Sequence, residues 1–260
     1  MDQAKESTKT TQGKSPRVLA DYNNYDYKGQ FWQGREYEDI SDRKAIQRLL
    51  PKKAKVFIDI AGGYGRLANE YLPRGYGKTI IFDYSKTLLA DAKKEFGDQV
   101  TTVQGDLYKT PFKDGEADAM LMVRATHHFD DLPAIIQELA RVLSKNGLLV
   151  MEVANKKTLP KMFKYWFGKS DINPFSREPS KLKELNQGDF YNYHPKYVEQ
   201  LFKDNHLKVE KVLSVSNFRS PRLKKLFGHK FLAAIESPLQ KVLAPFRFGP
   251  SVYYKVRKVK

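Results

Sequence analysis

The chain contains no cysteine. That excludes a disulfide framework, a thiolate nucleophile and a cysteine-ligated zinc site, and it leads us to expect a reducing, cytoplasmic setting. No apolar run approaches the roughly 18 residues of a membrane span, and the first seventeen residues lack the apolar core of a secretory signal. Histidine is scarce: His194, His206 and His229 stand apart with no His-x-x-His spacing, so no metal is expected. The G-x-S-x-G elbow of a serine hydrolase is missing as well. Acid is in deficit, 30 Asp and Glu against 46 Lys and Arg, for a net charge of +16. From Arg219 to Lys260 eleven basic residues face one acid, Glu236. Such a field suits an anionic partner, whether nucleic acid, lipid headgroup or acidic substrate; the alternative is a basic surface that only keeps the protein soluble.

The 260 residues suit one large core. Residues 1–17 read as a polar tail. Residues 18–40 carry Tyr22, Tyr25, Tyr27, Phe31 and Trp32 without clear periodicity and read as a lid segment, with core packing as the alternative. The main domain is expected over 41–260, opening on a helix capped by Ser41 or Asp42 and stopped by Pro51. Short apolar runs then begin at Val56, Thr79, Val100, Ala117 and Leu148, with helical patterns over 66–71, 85–96 and 132–143 between them. This alternation predicts a doubly wound α/β fold: a parallel sheet with helices on both faces. Two stretches depart from it. Residues 155–194 lose periodicity and are expected to form a long functional loop, and within 219–248 an amphipathic stripe interrupted by Pro238 predicts one or two helices.

The strand from Val56 to Ile60 runs into Ala61-Gly62-Gly63-Tyr64-Gly65, a turn whose glycines allow close approach to a ligand at a sheet's carboxyl edge. Gly63-Tyr64-Gly65-Arg66-Leu67-Ala68 also satisfies a dinucleotide fingerprint, so a nicotinamide dehydrogenase stays open at this point. Three acids weigh against it. Asp59 would repel a pyrophosphate and welcome a cation; Asp83 ends the next strand where an acid reaches ribose hydroxyls; Asp106 follows the third strand, placed to accept from an adenine amino group. Together they favour an adenosine carrying positive charge.

At these residues the chain resembles the class I S-adenosylmethionine-dependent methyltransferases, in the group that includes the ubiquinone and menaquinone C-methyltransferases. The D-x-G-x-G-x-G motif of that family stands here as Asp59 to Gly65, with Ala61 in place of the first glycine. Further matches are Asp83, Gly105-Asp106-Leu107, Ala117 to Met120 leading to Arg124-Ala125-Thr126-His127-His128-Phe129, and Glu138 to Leu143 before Gly147. The resemblance implies a Rossmann-like, seven-stranded, mostly parallel sheet with the last strand antiparallel, an N-terminal lid and helical insertions. It implies S-adenosylmethionine as cofactor, held by the backbone near Asp59, Ala61, Gly62, Gly63 and Gly65, by Asp83 and Tyr84 at the ribose, by Asp106 and Leu107 at the adenine, and near Arg124. His127 and His128 end the fourth strand beside the reacting centre. On an extended chain only one would face the cavity, and a histidine titrating near neutrality there would take a proton from the acceptor; the alternative is that both only brace the loop. Arg35 and Arg66 are candidates for the cofactor carboxylate. Tyr22, Tyr25 and Trp32 would close over the site, and a small or lipid-like acceptor, with peripheral membrane contact, fits the divergent segments. Nucleic acid is the less favoured acceptor, since no N-P-P-[YF] motif or RNA-binding module is present. A non-catalytic binding module, hinted at by Ala61, is the remaining alternative.

Overall fold

The computed structural model describes residues 32–184 and 188–260. In chain order the elements are α1 (Glu36–Leu49), β1 (Val56–Ile60), α2 (Ala68–Tyr71), β2 (Lys78–Asp83), α3 (Lys86–Phe96), β3 (Thr101–Gln104), β4 (Ala117–Met122), α4 (Leu132–Val142) and β5 (Leu143–Ala154). They continue with α5 (Leu159–Trp166), β6 (Ser180–Glu184), β7 (Gly188–Asn192), α6 (Pro195–Asp204), β8 (Leu207–Val215), α7 (Pro221–Phe227), α8 (His229–Val242) and β9 (Ser251–Lys258). Seven strands form one sheet in the order β3-β2-β1-β4-β5-β9-β8. The first five run parallel, and β9 lies antiparallel between β5 and β8. This is the expected α/β architecture.

Side-chain alternation along the strands divides the core between the two faces. Phe57 and Ile81 pack with Ala45, Ile46 and Leu49 of α1, while Ile58 and Ile80 pack with Ile135 and Leu139 of α4 and Phe202 of α6. α4 shows why these segments are helical. Asp131 caps it by accepting from the Ala134 amide at 3.1 Å, Pro133 occupies the first turn, and Leu132, Ile135, Ile136 and Leu139 form its buried face. Each of those burials contributes about 1.5–3 kcal/mol. α3 is built likewise, with Ser85 accepting from the Leu88 amide.

Three expectations are corrected. α1 begins at Glu36, so Ser41 and Asp42 are not caps; both lie buried in mid-helix, and Asp42 is there as a counter-ion. The 155–194 stretch holds α5 and the β6–β7 hairpin instead of one long loop. Pro160 falls in the first turn of α5, where it is tolerated, and the helix turns its apolar residues outward, which hides the usual core-facing signature. In 219–248 the chain breaks at Gly228 (φ +76°), between α7 and α8, while Pro238 lies inside α8.

Candidate functional site

The carboxylate of Asp59, on β1, is buried and accepts from the Tyr71 hydroxyl at 3.1 Å. Burial pushes it up to about 7, against the opposing pull of that hydrogen bond and of the Arg66 charge. The turn that follows reverses sharply, with φ of +53° at Ala61, +54° at Gly63 and +77° at Gly65. These positions differ in what they require. A Cβ on Gly62 would lie 2.8 Å from the Asp59 carboxyl carbon, and one on Gly65 2.6 Å from the Phe96 ring, so both glycines are demanded by packing. At Gly63 nothing comes nearer than 3.4 Å, and its backbone angle is the constraint. Ala61 takes the left-handed conformation with a side chain, at a cost of about 1 kcal/mol. Asp83 ties β2 to the turn: its two oxygens accept from the Gly63 and Ser85 amides, each at 2.8 Å. Burial raises Asp83 too, against the opposing pull of the Ser85, Gly63 and Tyr84 amides.

A cavity opens where β1, β2 and β4 end. Asp59, Ala61, Gly62, Gly63, Asp83 and Tyr84 line one side, and Leu107, Arg124 and His128 the other. Gly65, Asp106, His127 and Trp32 are not among its lining. Gly65 is turned against Phe96, and the exposed Asp106 accepts from the Tyr108 amide at 2.9 Å, closing its own loop. Trp32 lies one step back, its ring 4.0 Å from the Arg66 guanidinium that lines the cavity. Tyr22 and Tyr25 fall outside the described residues. The sequence reading missed the apolar walls: Phe82, Leu88, Val123, Ala125 and Phe129 belong to the core pattern and acquire a second role only through the geometry of the strand ends.

Arg124 lines the cavity as expected of a residue near the cofactor, but its side chain is held within the protein. It sits at φ +58°, its amide donates to Glu152 Oε2 at 3.0 Å, and its guanidinium donates to both oxygens of Asp42 at 3.0 Å. Burial would raise Asp42, but the charges of Arg124 and Arg66 outweigh it and hold the carboxyl below the usual range. Arg66 pairs with Asp42 at 3.3 Å and, at shorter range, with Asp39. Both arginines of the cavity wall are therefore neutralised by α1. Arg66 is thus engaged within the protein instead of awaiting a ligand carboxylate.

Of the two histidines only His128 lines the cavity, in line with the expectation that one would, but their conformation and charge differ from expectation. Thr126–His128 forms a 3-10 turn, not an extended strand end, so the two rings lie side by side with centroids 4.0 Å apart. Phe190 of β7 covers both, at 4.6 Å from His127 and 5.2 Å from His128. Neither titrates near neutrality. Burial, the neighbouring His128 and the charges of Arg124, Arg219 and Arg35 drive His127 far down, and burial lowers His128 to about 4. Both imidazoles are neutral at physiological pH.

Comparison with known proteins bears on this geometry. A methyltransferase domain family model matches residues 58–151. A demethylmenaquinone methyltransferase of Thermus thermophilus is 31% identical over 163 residues, covering 60% of this chain and 72% of the relative. The chain belongs to the S-adenosylmethionine-dependent methyltransferases. A ubiquinone/menaquinone biosynthesis C-methyltransferase of Roseobacter denitrificans is 27% identical over 151 residues, which is 56% of this methyltransferase and 58% of the relative, less than two thirds of its length. A Listeria monocytogenes structure described as an S-adenosylmethionine-dependent methyltransferase shares the fold, with a TM-score of 0.64 at 16% identity over 86% of this chain and 99% of that one. The matched region of this methyltransferase contains Asp59, the glycine turn, Asp83 and both histidines. Its α5, α7 and α8 lie outside that region.

Proposed function

We propose that this methyltransferase carries a methyl group from S-adenosylmethionine to an oxygen or carbon of a small or lipid-like acceptor, in the cytoplasm. The observation that carries the reading is the charge of the cavity wall: Asp59 and Asp83 offer carboxylates, while Arg66 and Arg124 are spoken for by Asp39 and Asp42. A pyrophosphate would meet Asp59 and find no cation there. A cofactor bearing a sulfonium and an ammonium fits the same wall. Asp83 would take the ribose hydroxyls, the backbone of Ala61 and Gly63 the methionine end, and Leu107 with Gly105 the adenine face. The Asp106 carboxylate would reach the adenine amino group once it leaves the Tyr108 amide.

S-adenosylmethionine, when bound, supplies an electrophilic methyl group on a good leaving group. The chain's own task is to orient the acceptor and exclude water. His128, neutral and facing the cavity, is suited to hold an acceptor hydroxyl by a hydrogen bond. Arg219 and Arg35, which act on His127 besides the paired Arg124, favour an acceptor oxygen that is ionised, and an ionised phenol or enol is nucleophilic at oxygen and at the adjacent carbon. A quinone-related acceptor, of the kind named for the Thermus and Roseobacter relatives, meets this description. Calorimetry with S-adenosylmethionine, S-adenosylhomocysteine and NAD tests the cofactor, and turnover with reduced quinones tests the acceptor class. Binding of both adenosyl compounds without NAD is expected; tight NAD binding with neither adenosyl compound bound would overturn the reading.

A further inference from the structure

Two helices outside the matched methyltransferase region turn apolar residues to the solvent. On α5, Leu159, Phe163, Trp166 and Phe167 follow one another at helical spacing and are all exposed, Phe167 by 71%, while Met162 alone faces inward. α8 buries Leu232 and Ala233 together with the polar Glu236 and Gln240, whereas Phe231, Ile235 and Val242 lie on the outside. Glu236 has a reason to be inside, accepting from the Tyr37 hydroxyl at 3.0 Å and from the Ser216 amide at 2.7 Å. Among the described residues nothing covers the opposite face. Leu226 and Phe227 extend it onto α7, with the Phe227 and Phe231 rings 6.0 Å apart. α5 and α7 start from one end of the molecule. β5 and β8 both run antiparallel to β9, so α5 and α7, which follow them, leave the sheet at one edge, the edge on which the cavity opens.

We propose that this face docks on an anionic lipid bilayer, with the cavity mouth held at the membrane surface. The charge that α5, α7 and α8 themselves turn outward is basic, with the exposed Glu36 paired to His229 at the start of α8 and Asp171 following α5. Lys164 and Lys169 accompany α5, and Arg222, Lys225, Lys230 and Lys241 lie exposed on α7 and α8, while the only acid in 219–248 is the inward-facing Glu236. Apolar side chains that enter the acyl boundary, flanked by lysine and arginine at headgroup level, are the two components of interfacial binding. A second copy of this chain would bring like charge against like. Nucleic acid would use the aromatic rings but not Leu159, Leu226, Ile235 or Val242, because bases stack on π faces and gain little from aliphatic side chains. The inference concerns a surface and stands apart from the choice of acceptor.

The test is co-sedimentation of the full chain with phosphatidylcholine vesicles, with and without about a third phosphatidylglycerol, at low and high salt. Binding to the anionic vesicles, weakened by salt and accompanied by a blue shift in Trp166 fluorescence, is expected. Phe163→Ser with Trp166→Ser, or Phe231→Ser with Ile235→Ser, should weaken it about tenfold or more, as should Lys225→Glu with Lys230→Glu. All six positions are exposed, and unchanged S-adenosylhomocysteine affinity serves as the control for folding. Equal affinity for neutral vesicles, no vesicle binding, or variants that bind as the parent does would overturn the proposal. So would self-association, or binding to single-stranded RNA, in place of vesicle association. Because no turnover is measured, failure here leaves methyl transfer standing, and failure to methylate leaves the vesicle result intact.

Discussion

Asp59 is held near neutrality by burial, which makes its charge responsive to whatever occupies the cavity. Its folded value of about 7 lies above the unfolded value of about 3.9, so its contribution to stability is complete below pH 4 and is lost as pH rises through 7. A cation bound beside it draws off the proton. Affinity for S-adenosylmethionine should therefore rise about tenfold between pH 6 and 8, with Asp59→Asn flattening the dependence in calorimetric titrations. If S-adenosylhomocysteine, which lacks the sulfonium, shows the same rise, the ammonium is the cation sensed. Ala61 gives a second expectation. Ala→Gly ordinarily costs 0.5–1 kcal/mol or so, but at φ +53° relief of the left-handed strain offsets it, so Ala61→Gly should be neutral or stabilising by up to about 1 kcal/mol in chemical denaturation. His128 supplies a third. As a neutral hydrogen-bonding group with a value near 4, it should leave the kcat/KM pH profile unmoved when changed to Gln, while kcat falls by about 10- to 100-fold; a lost limb near pH 6.5 would show that it titrates in catalysis instead. Asp59, Asp83 and the glycine turn were legible in the sequence because the chemistry is carried by residue type at a strand end. The engagement of Arg124 was not, since its partner lies 82 residues away.

That partner belongs to α1, and the helix is the element on which the site depends most. Asp42 takes Arg124 and Arg66, Asp39 takes Arg66, and Arg43 reaches Glu70 at 3.0 Å. Removing Asp42 leaves a guanidinium buried without its counter-charge, so Asp42→Ala should cost about 3–5 kcal/mol in denaturant unfolding. The Asp42→Ala and Arg124→Ala pair should lose much less than the sum of the singles, and additive losses would show that the two are not coupled. Sequence periodicity found the half of α1 that faces the sheet, Ala45, Ile46 and Leu49, and missed its first turns, because Tyr37 packs against α8 and not against the sheet. α5 was obscure for the converse reason: hydrophobic periodicity is read as a buried face, and its apolar residues are exposed, whereas α7 and α8 were expected from their stripe and only their break, at Gly228 instead of Pro238, was not.

For the molecule as a whole, the doubly wound sheet followed from alternating apolar runs, whereas the placement of β9 between β5 and β8 depends on long-range pairing that no local pattern encodes. A ligand held by residues from β1, β2 and β4 should tie these elements together. S-adenosylhomocysteine at a hundred times its Kd should add about 2.7 kcal/mol and raise Tm by roughly 5–10 °C in differential scanning calorimetry, with Asp83→Ala reducing the shift at equal concentration.

The position of β9 also sets the order in which this protein can be completed during synthesis. β5 and β8 emerge from the ribosome long before the strand that joins them, and until residues 251–258 follow, β5 has an open edge and β8 has no place in the sheet. Glu152, which fixes the Arg124 backbone, lies on that open strand opposite Tyr253. Until β9 pairs, β5 presents the kind of unpaired edge that invites aggregation and that chaperones protect.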